Sequence, residues 1–220
     1  MKNINRLIGS IPLIGFIAIL LSLSSAAAVA DDAKTIRSMY DLVKPSLVAV
    51  KYTWTNELGS QELSAAGVII SDDGLVIIPI GIVTPAIIPD DQMHKFKIIV
   101  PSETGDETEI DATLQGRDER TSLAFVRADS PQKWKSIKFV DAPPKIGDPL
   151  YSVGILPKGA GYKALITTAF MSTRLRGPIP QLLVAGQLAG VGAIVLDANA
   201  QAVGYVHARS LGEALLDNPE

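Results

Sequence analysis

The sequence contains no cysteine. This excludes disulfides, thiolate catalysis and metal sites built on thiolate ligands, so the apolar core must hold the fold unaided. Histidine is nearly as scarce, with His94 and His207 as the pair present, which leaves few imidazoles to act as a general base or a metal ligand. Basic residues do not outnumber acidic ones: the formal charge is -3 and the Lys and Arg residues are scattered. A nucleic-acid binder would carry a basic domain or stripe, so no nucleic-acid partner is expected. Internal repeats and low-complexity tracts are also missing.

Apolar residues are plentiful, at 47% of 220 residues, enough to build one large or two small cores. At the N-terminus Lys2 and Arg6 precede an apolar run over 7–23, followed by Ser24, Ser25 and a string of small residues that includes Ala28 and Ala30. A charged start, an apolar middle and small residues describe a secretory signal cleaved after Ala30. The run, about 17 to 24 apolar or small residues, is also long enough to remain as an anchor, touching the membrane through residues 7–23. Both readings export the chain, and cleavage would make the remaining domain more acidic.

Beyond this segment, Ile36, Met39, Tyr40 and Val43 recur at helical spacing and Pro45 stops the pattern, which predicts a short helix within 31–46. The rest reads as strands. LVAVKYTW (47–54), KFKIIV (95–100) and IDATLQ (110–115) alternate, and Val48, Val50, Tyr52 and Trp54 share one face. AAGVII (65–70) and LVIIPI (75–80) flank a Ser71-Asp72-Asp73-Gly74 turn, and LAFVRA (123–128) closes this set. The segment DAPPKIGDP (141–149), with adjacent prolines, reads as a linker. A second set follows at 150–156, 164–175, 181–185, 192–197 and 202–207. Short strands separated by turns predict an all-β barrel or sandwich, and two sets on either side of the linker argue for two barrels.

Four stretches together resemble the trypsin-like serine proteases of the bacterial HtrA/Deg type: SAAGVIISDDGLVIIPIGIV (64–83), RDERTSLAFVRAD (117–129), KIGDPLYSVG (145–154) and QLAGVGAIVLDANAQAVG (187–204). The resemblance covers about residues 35–208. It implies two six-stranded β-barrels of chymotrypsin/trypsin-like type, over 47–140 and 150–210, with a cleft between them and a tail at 211–220. It also implies a periplasmic location, or one on the periplasmic face of the inner membrane. Only residues 208–220 follow His207, so no PDZ-like module is expected.

The chemistry of that family needs a serine nucleophile, a histidine base, an aspartate that orients the imidazole and backbone N–H groups that receive the oxyanion. The resemblance places the histidine at Gly81, the aspartate at Ser122 and the serine at Val191. The glycine expected two residues before the nucleophile is Ala189, beside Gly190, so the oxyanion loop departs from the pattern as well. The resemblance therefore implies a pseudoprotease: a binding or structural subunit with no catalytic residues, no cofactor and no metal.

Other residues admit plain readings. His94, after Asp90-Asp91-Gln92, reads as a loop residue and His207 as the end of a strand; both read as isolated surface imidazoles. SETGDETEID (102–111) lacks the spacing of a Ca²⁺ loop, and KGAGYK (158–163) joins two strands and does not open a helix, which argues against phosphate binding. Arg174 and Arg176 offer a small basic knob to an acidic partner. The segment IPIGIVTPAIIP (78–89) is almost wholly apolar; it is either covered inside the chain or presents Ile80, Ile82, Val83, Ile87 and Ile88 to a protein or membrane partner. Two rival functions remain: an active hydrolase whose relocated triad uses His94 or His207, and an extracytoplasmic peptide binder that adds a strand to a barrel edge.

Overall fold

The computed structural model describes residues 33–176 and 179–207. The chain divides into two compact units, Met1–Ser38 and Met39–Glu220. The expected signal or anchor over 1–30 and the tail over 211–220 lie outside the described residues. Among the described residues no helix is long and apolar enough to cross a membrane.

A helix, α1 (33–43), runs into a 3₁₀ turn, Lys44–Ser46, in which Pro45 cannot continue the α-helical bonding. Six strands follow: β1 (Leu47–Asn56), β2 (Gly59–Ile69), β3 (Leu75–Pro79), β4 (Met93–Val100), β5 (Thr108–Asp118) and β6 (Leu123–Ala128). They close into a barrel in the order β1-β2-β3-β6-β5-β4. The alternation of β1 points Val48, Val50 and Tyr52 into the barrel, where they pack with Ile69, Ile78, Ile98 and Val126. Each such fully buried aliphatic side chain contributes about 1.5–3 kcal/mol. Trp134, from the connection after β6, is buried in the same core.

The opposite face of β1 is buried too. Leu47 packs with Val153, Ile194 and the α1 residues Met39 and Val43, and Ala49 packs with Ile99 and Tyr162. The cause is a second sheet built from β7 (Pro149–Ile155), β8 (Ala164–Leu175), β9 (Gln181–Gly186), β10 (Ile194–Leu196) and β11 (Ala202–Tyr205). Its order is β11-β10-β7-β8-β9.

This corrects the expectation of a second six-stranded barrel. In the first barrel β6 sits between β3 and β5 and closes the ring; the second sheet repeats that order, but no described strand joins β9 to β11. The described chain beyond β11 is occupied elsewhere, since Val206 donates its N–H to the Ala193 carbonyl and accepts that of Gly192. The second sheet is therefore an open, five-stranded half-barrel among the described residues.

Candidate functional site: a cleft with an apolar lining

Between the barrel and the open sheet lies a cleft of about 400 Å³. The barrel contributes Ser64, Ala66 and Ile80, Gly81 and Ile82 of the 3₁₀ turn Ile80–Val83, and the sheet contributes Ile155, Tyr162 and Val191. Gly81, Ser122 and Val191, which are 41 or more residues apart in sequence, all line it.

Local bonding places each of them. Asp118 accepts the N–H groups of Arg120 at 3.0 Å and Thr121 at 3.3 Å, and bonding by Thr121 and Arg120 holds its carboxyl below the usual range. The resulting tight turn ends at Ser122, which adopts φ 58, and the Ser122 carbonyl accepts the Ile80 N–H at 3.1 Å. That bond ties the Ser122 turn to the 3₁₀ turn carrying Gly81. Arg117 fastens the same turn from behind, donating to the Val83 carbonyl at 2.5 Å and to Asp90 at 2.6 Å. Tyr52 adds a third tether through its hydroxyl to the Ile82 carbonyl, and burial pushes its phenol up to about 12.

Val191 sits at the tip of the glycine loop, 46% exposed. Gly190 and Gly192 take φ 111 and 92, where L side chains are strained. A Cβ on Gly192 would lie 2.7 Å from the Ala66 carbonyl oxygen of β2, so this glycine lets the loop press against the first barrel. Ala189, ahead of it, donates its backbone N–H to Ser152 Oγ at 3.1 Å, and Ser152 is fully buried.

No protein-family model and no curated protein matches the chain by sequence. Solved structures do match. The crystal structure of Deg5 aligns with a TM-score of 0.63 over 80% of this chain and 86% of that one, at 13% identity. At that identity the likeness shows the fold alone. The fold is trypsin-like.

Among the described residues the cleft side chains able to act as nucleophile or base are Ser64, Ser122, Tyr162 and His207, and no described carboxylate belongs to the lining. Burial pushes the Tyr162 phenol up, against the pull of Lys158 and a hydrogen bond with Ser64. His94 is brought nowhere near these residues: it is exposed on β4 opposite Thr53, a correction to its reading as a loop residue. The 3₁₀ turn Asp90–Gln92 is shorter than the loop expected there, and β4 begins at Met93.

The apolar segment 78–89 divides. Val83 and Ile88 are buried in the barrel core, which withdraws them as partner-binding candidates, because neither can meet a partner without unfolding the barrel. Ile80 and Ile82 are half-buried on the cleft wall, and Ile87 is 69% exposed. Arg174 and Arg176 lie outside the cleft, on a separate recess.

One residue of the cleft was not singled out in the sequence. Tyr162, inside KGAGYK, follows the left-handed Gly161 and itself takes φ 51. It inserts between the two sheets against Ala49, Ile99 and Ile155, while Lys158 of the same loop bonds Glu62 of β2 at 2.7 Å. The loop is a strap from the open sheet to the barrel. Only the tyrosine itself, a large aromatic in a glycine turn, hinted that the loop had something to bury.

Proposed function

We propose that this chain is a non-catalytic trypsin-like protein of the HtrA/Deg type, a binding or structural subunit of a periplasmic or membrane-bound complex. One observation carries the reading. Gly81, Ser122 and Val191, where the resemblance places histidine, aspartate and serine, converge on one cleft whose lining, among the described residues, holds no carboxylate. A serine is a weak nucleophile until a base takes its proton and a carboxylate orients that base; here the nucleophile position is a valine and the base position a glycine. The engagement of the Ala189 N–H with Ser152 also turns a would-be oxyanion donor into the fold. Export follows from the N-terminal pattern of Lys2, Arg6, the apolar run over 7–23 and Ala28 and Ala30.

His207 lines the same cleft as Ser64 and Ser122, and this favours one rival, a hydrolase with relocated groups. A fluorophosphonate that labels activated serines separates the two readings by intact mass. The non-catalytic protein stays unlabelled and releases no product from peptide esters. Labelling at Ser64 or Ser122 that disappears in His207→Ala would establish the hydrolase instead. The subunit role is read by native purification from membranes in mild detergent: a stoichiometric partner supports it, and a lone soluble chain beginning at Asp31 counts against it.

A further inference from the structure

A second recess, of about 880 Å³, lies on the open sheet and is lined by Lys145, Ile146, Met171, Thr173, Arg174 and Arg176, with flanking prolines. Three features meet there.

The first is an unpaired strand edge. The β7–β8 ladder ends at Pro149↔Phe170, whereas β8 continues to Leu175, accompanied on its other side by β9 through Leu175↔Gln181. At Met171 the overhang is still covered: its carbonyl accepts the Gly147 N–H at 2.8 Å and its N–H donates to the Asp148 carbonyl at 2.9 Å. Over 172–175 no described strand lies along that side. Such an edge presents backbone donors and acceptors ready for a further strand.

The second is charge. Among the described residues Lys145, Arg174 and Arg176 line the recess, no carboxylate does, and none of the three cations takes part in an ion pair. Asp148, the closest acid in sequence, directs its carboxylate to the backbone N–H of Lys145 at 2.7 Å. The third is Ile146, which stands 76% exposed at the recess.

We propose that this recess takes a short, extended, acidic segment of a protein partner, added as a strand along residues 172–175 of β8. Its carboxylates meet Lys145, Arg174 and Arg176, and an apolar side chain rests on Ile146. Strand addition supplies affinity through main-chain bonds, and the cations select the sequence. The shape favours a peptide over a bilayer, because a flat anionic surface cannot reach a backbone edge inside a recess. A long polyanion would meet the net negative charge of the rest of the chain. The proposal is independent of the cleft and of whether the chain is catalytic.

The test is fluorescence anisotropy on the purified full chain, with a labelled acetyl-Glu-Val-Asp-Val-Glu-amide as probe. The expected result is saturable binding that weakens as salt is raised, and by roughly tenfold or more in Arg174→Glu with Arg176→Glu. The backbone N-methylated probe, unable to complete a strand, is expected to bind much more weakly. Arg174→Gln with Arg176→Gln, a milder pair, keeps the comparison readable should the charge reversal impair folding. Absence of saturable binding, indifference to both charge variants, or equal binding of the N-methylated probe would overturn the proposal. So would displacement of the probe by anionic phosphatidylglycerol vesicles whose own binding needs Arg174 and Arg176, since that result marks a membrane-facing surface.

Discussion

The backbone N–H of Ala189 donates to Ser152 Oγ at 3.1 Å, joining the glycine loop to the buried middle of β7. In a trypsin-like enzyme the N–H two residues before the nucleophile faces the developing oxyanion, and losing one such donor costs about 10²–10³ in kcat. Restoring side chains alone is therefore not enough. Gly81→His has open space around its Cβ, Val191→Ser is at an exposed tip, and aspartate tolerates the left-handed backbone of Ser122. The triple variant is expected to fold and to turn over a chromogenic peptide ester at least about 10²–10³-fold more slowly than a trypsin-like enzyme with both donors. Turnover as fast as such an enzyme's would mean that the Ala189 N–H swings out readily. Ser152→Ala alone, which orphans that buried N–H, is expected to lower unfolding stability by about 1–3 kcal/mol.

The two glycines of the loop separate conformational strain from steric contact. Gly190→Ala meets no atom within 4 Å, so it incurs only the strain of φ 111, about 1–3 kcal/mol. Gly192→Ala adds a contact of 2.7 Å with the Ala66 carbonyl oxygen, which belongs to the backbone of β2 and cannot swing aside. Urea unfolding is expected to rank Gly192→Ala clearly below Gly190→Ala. Equal losses would show that the loop is not seated on the barrel.

Tyr52 ties stability to alkaline pH. Its phenol, at about 10 when unfolded, is raised to about 12 in the fold chiefly by burial, with nearby Arg117 pulling the other way. A raised folded value favours the neutral form, so the contribution is complete below about pH 10 and is lost as pH rises through about 12. Denaturation curves collected between those limits are expected to show a falling midpoint that flattens in Tyr52→Phe. A decline of the same steepness in Tyr52→Phe would assign it to another group.

The alternation in β1 made Val48, Val50 and Tyr52 legible as core, because strand period and burial in a barrel obey the same rule. The burial of Leu47 and Ala49 on the opposite face was not legible, since it depends on a second sheet more than 90 residues away in sequence packing across them. Whether Val83 and Ile88 are covered or presented stayed open in the sequence, because the local pattern does not reveal that Arg117, 34 residues from Val83, bonds their segment from the barrel. The convergence of Gly81, Ser122 and Val191 on one cleft was anticipated through family resemblance, not through periodicity. The Ala189–Ser152 bond spans 37 residues, and neither residue type announces it. What escaped the sequence is in each case a long-range contact between two elements that are individually ordinary.

The strap at 158–163 offers a last comparison, between an apolar wedge and an ion pair that fasten the same loop. Tyr162 and Ile155 form the wall shared by the cleft and a neighbouring cavity of about 590 Å³, so Tyr162→Ala opens one into the other. Truncating a buried aromatic of this size costs about 3–5 kcal/mol. The Lys158–Glu62 pair is solvent-exposed, with Glu62 also 3.4 Å from Lys51, and a screened pair of this kind contributes little. Lys158 holds the Glu62 carboxyl below its ordinary value, so that small contribution is present above about pH 4.3 and fades as pH falls below it. Urea unfolding at neutral pH is expected to place Tyr162→Ala far below Glu62→Gln, with only the Glu62→Gln difference shrinking in high salt. If Glu62→Gln were the more damaging, electrostatics and not the buried tyrosine would be what holds the open sheet against the barrel.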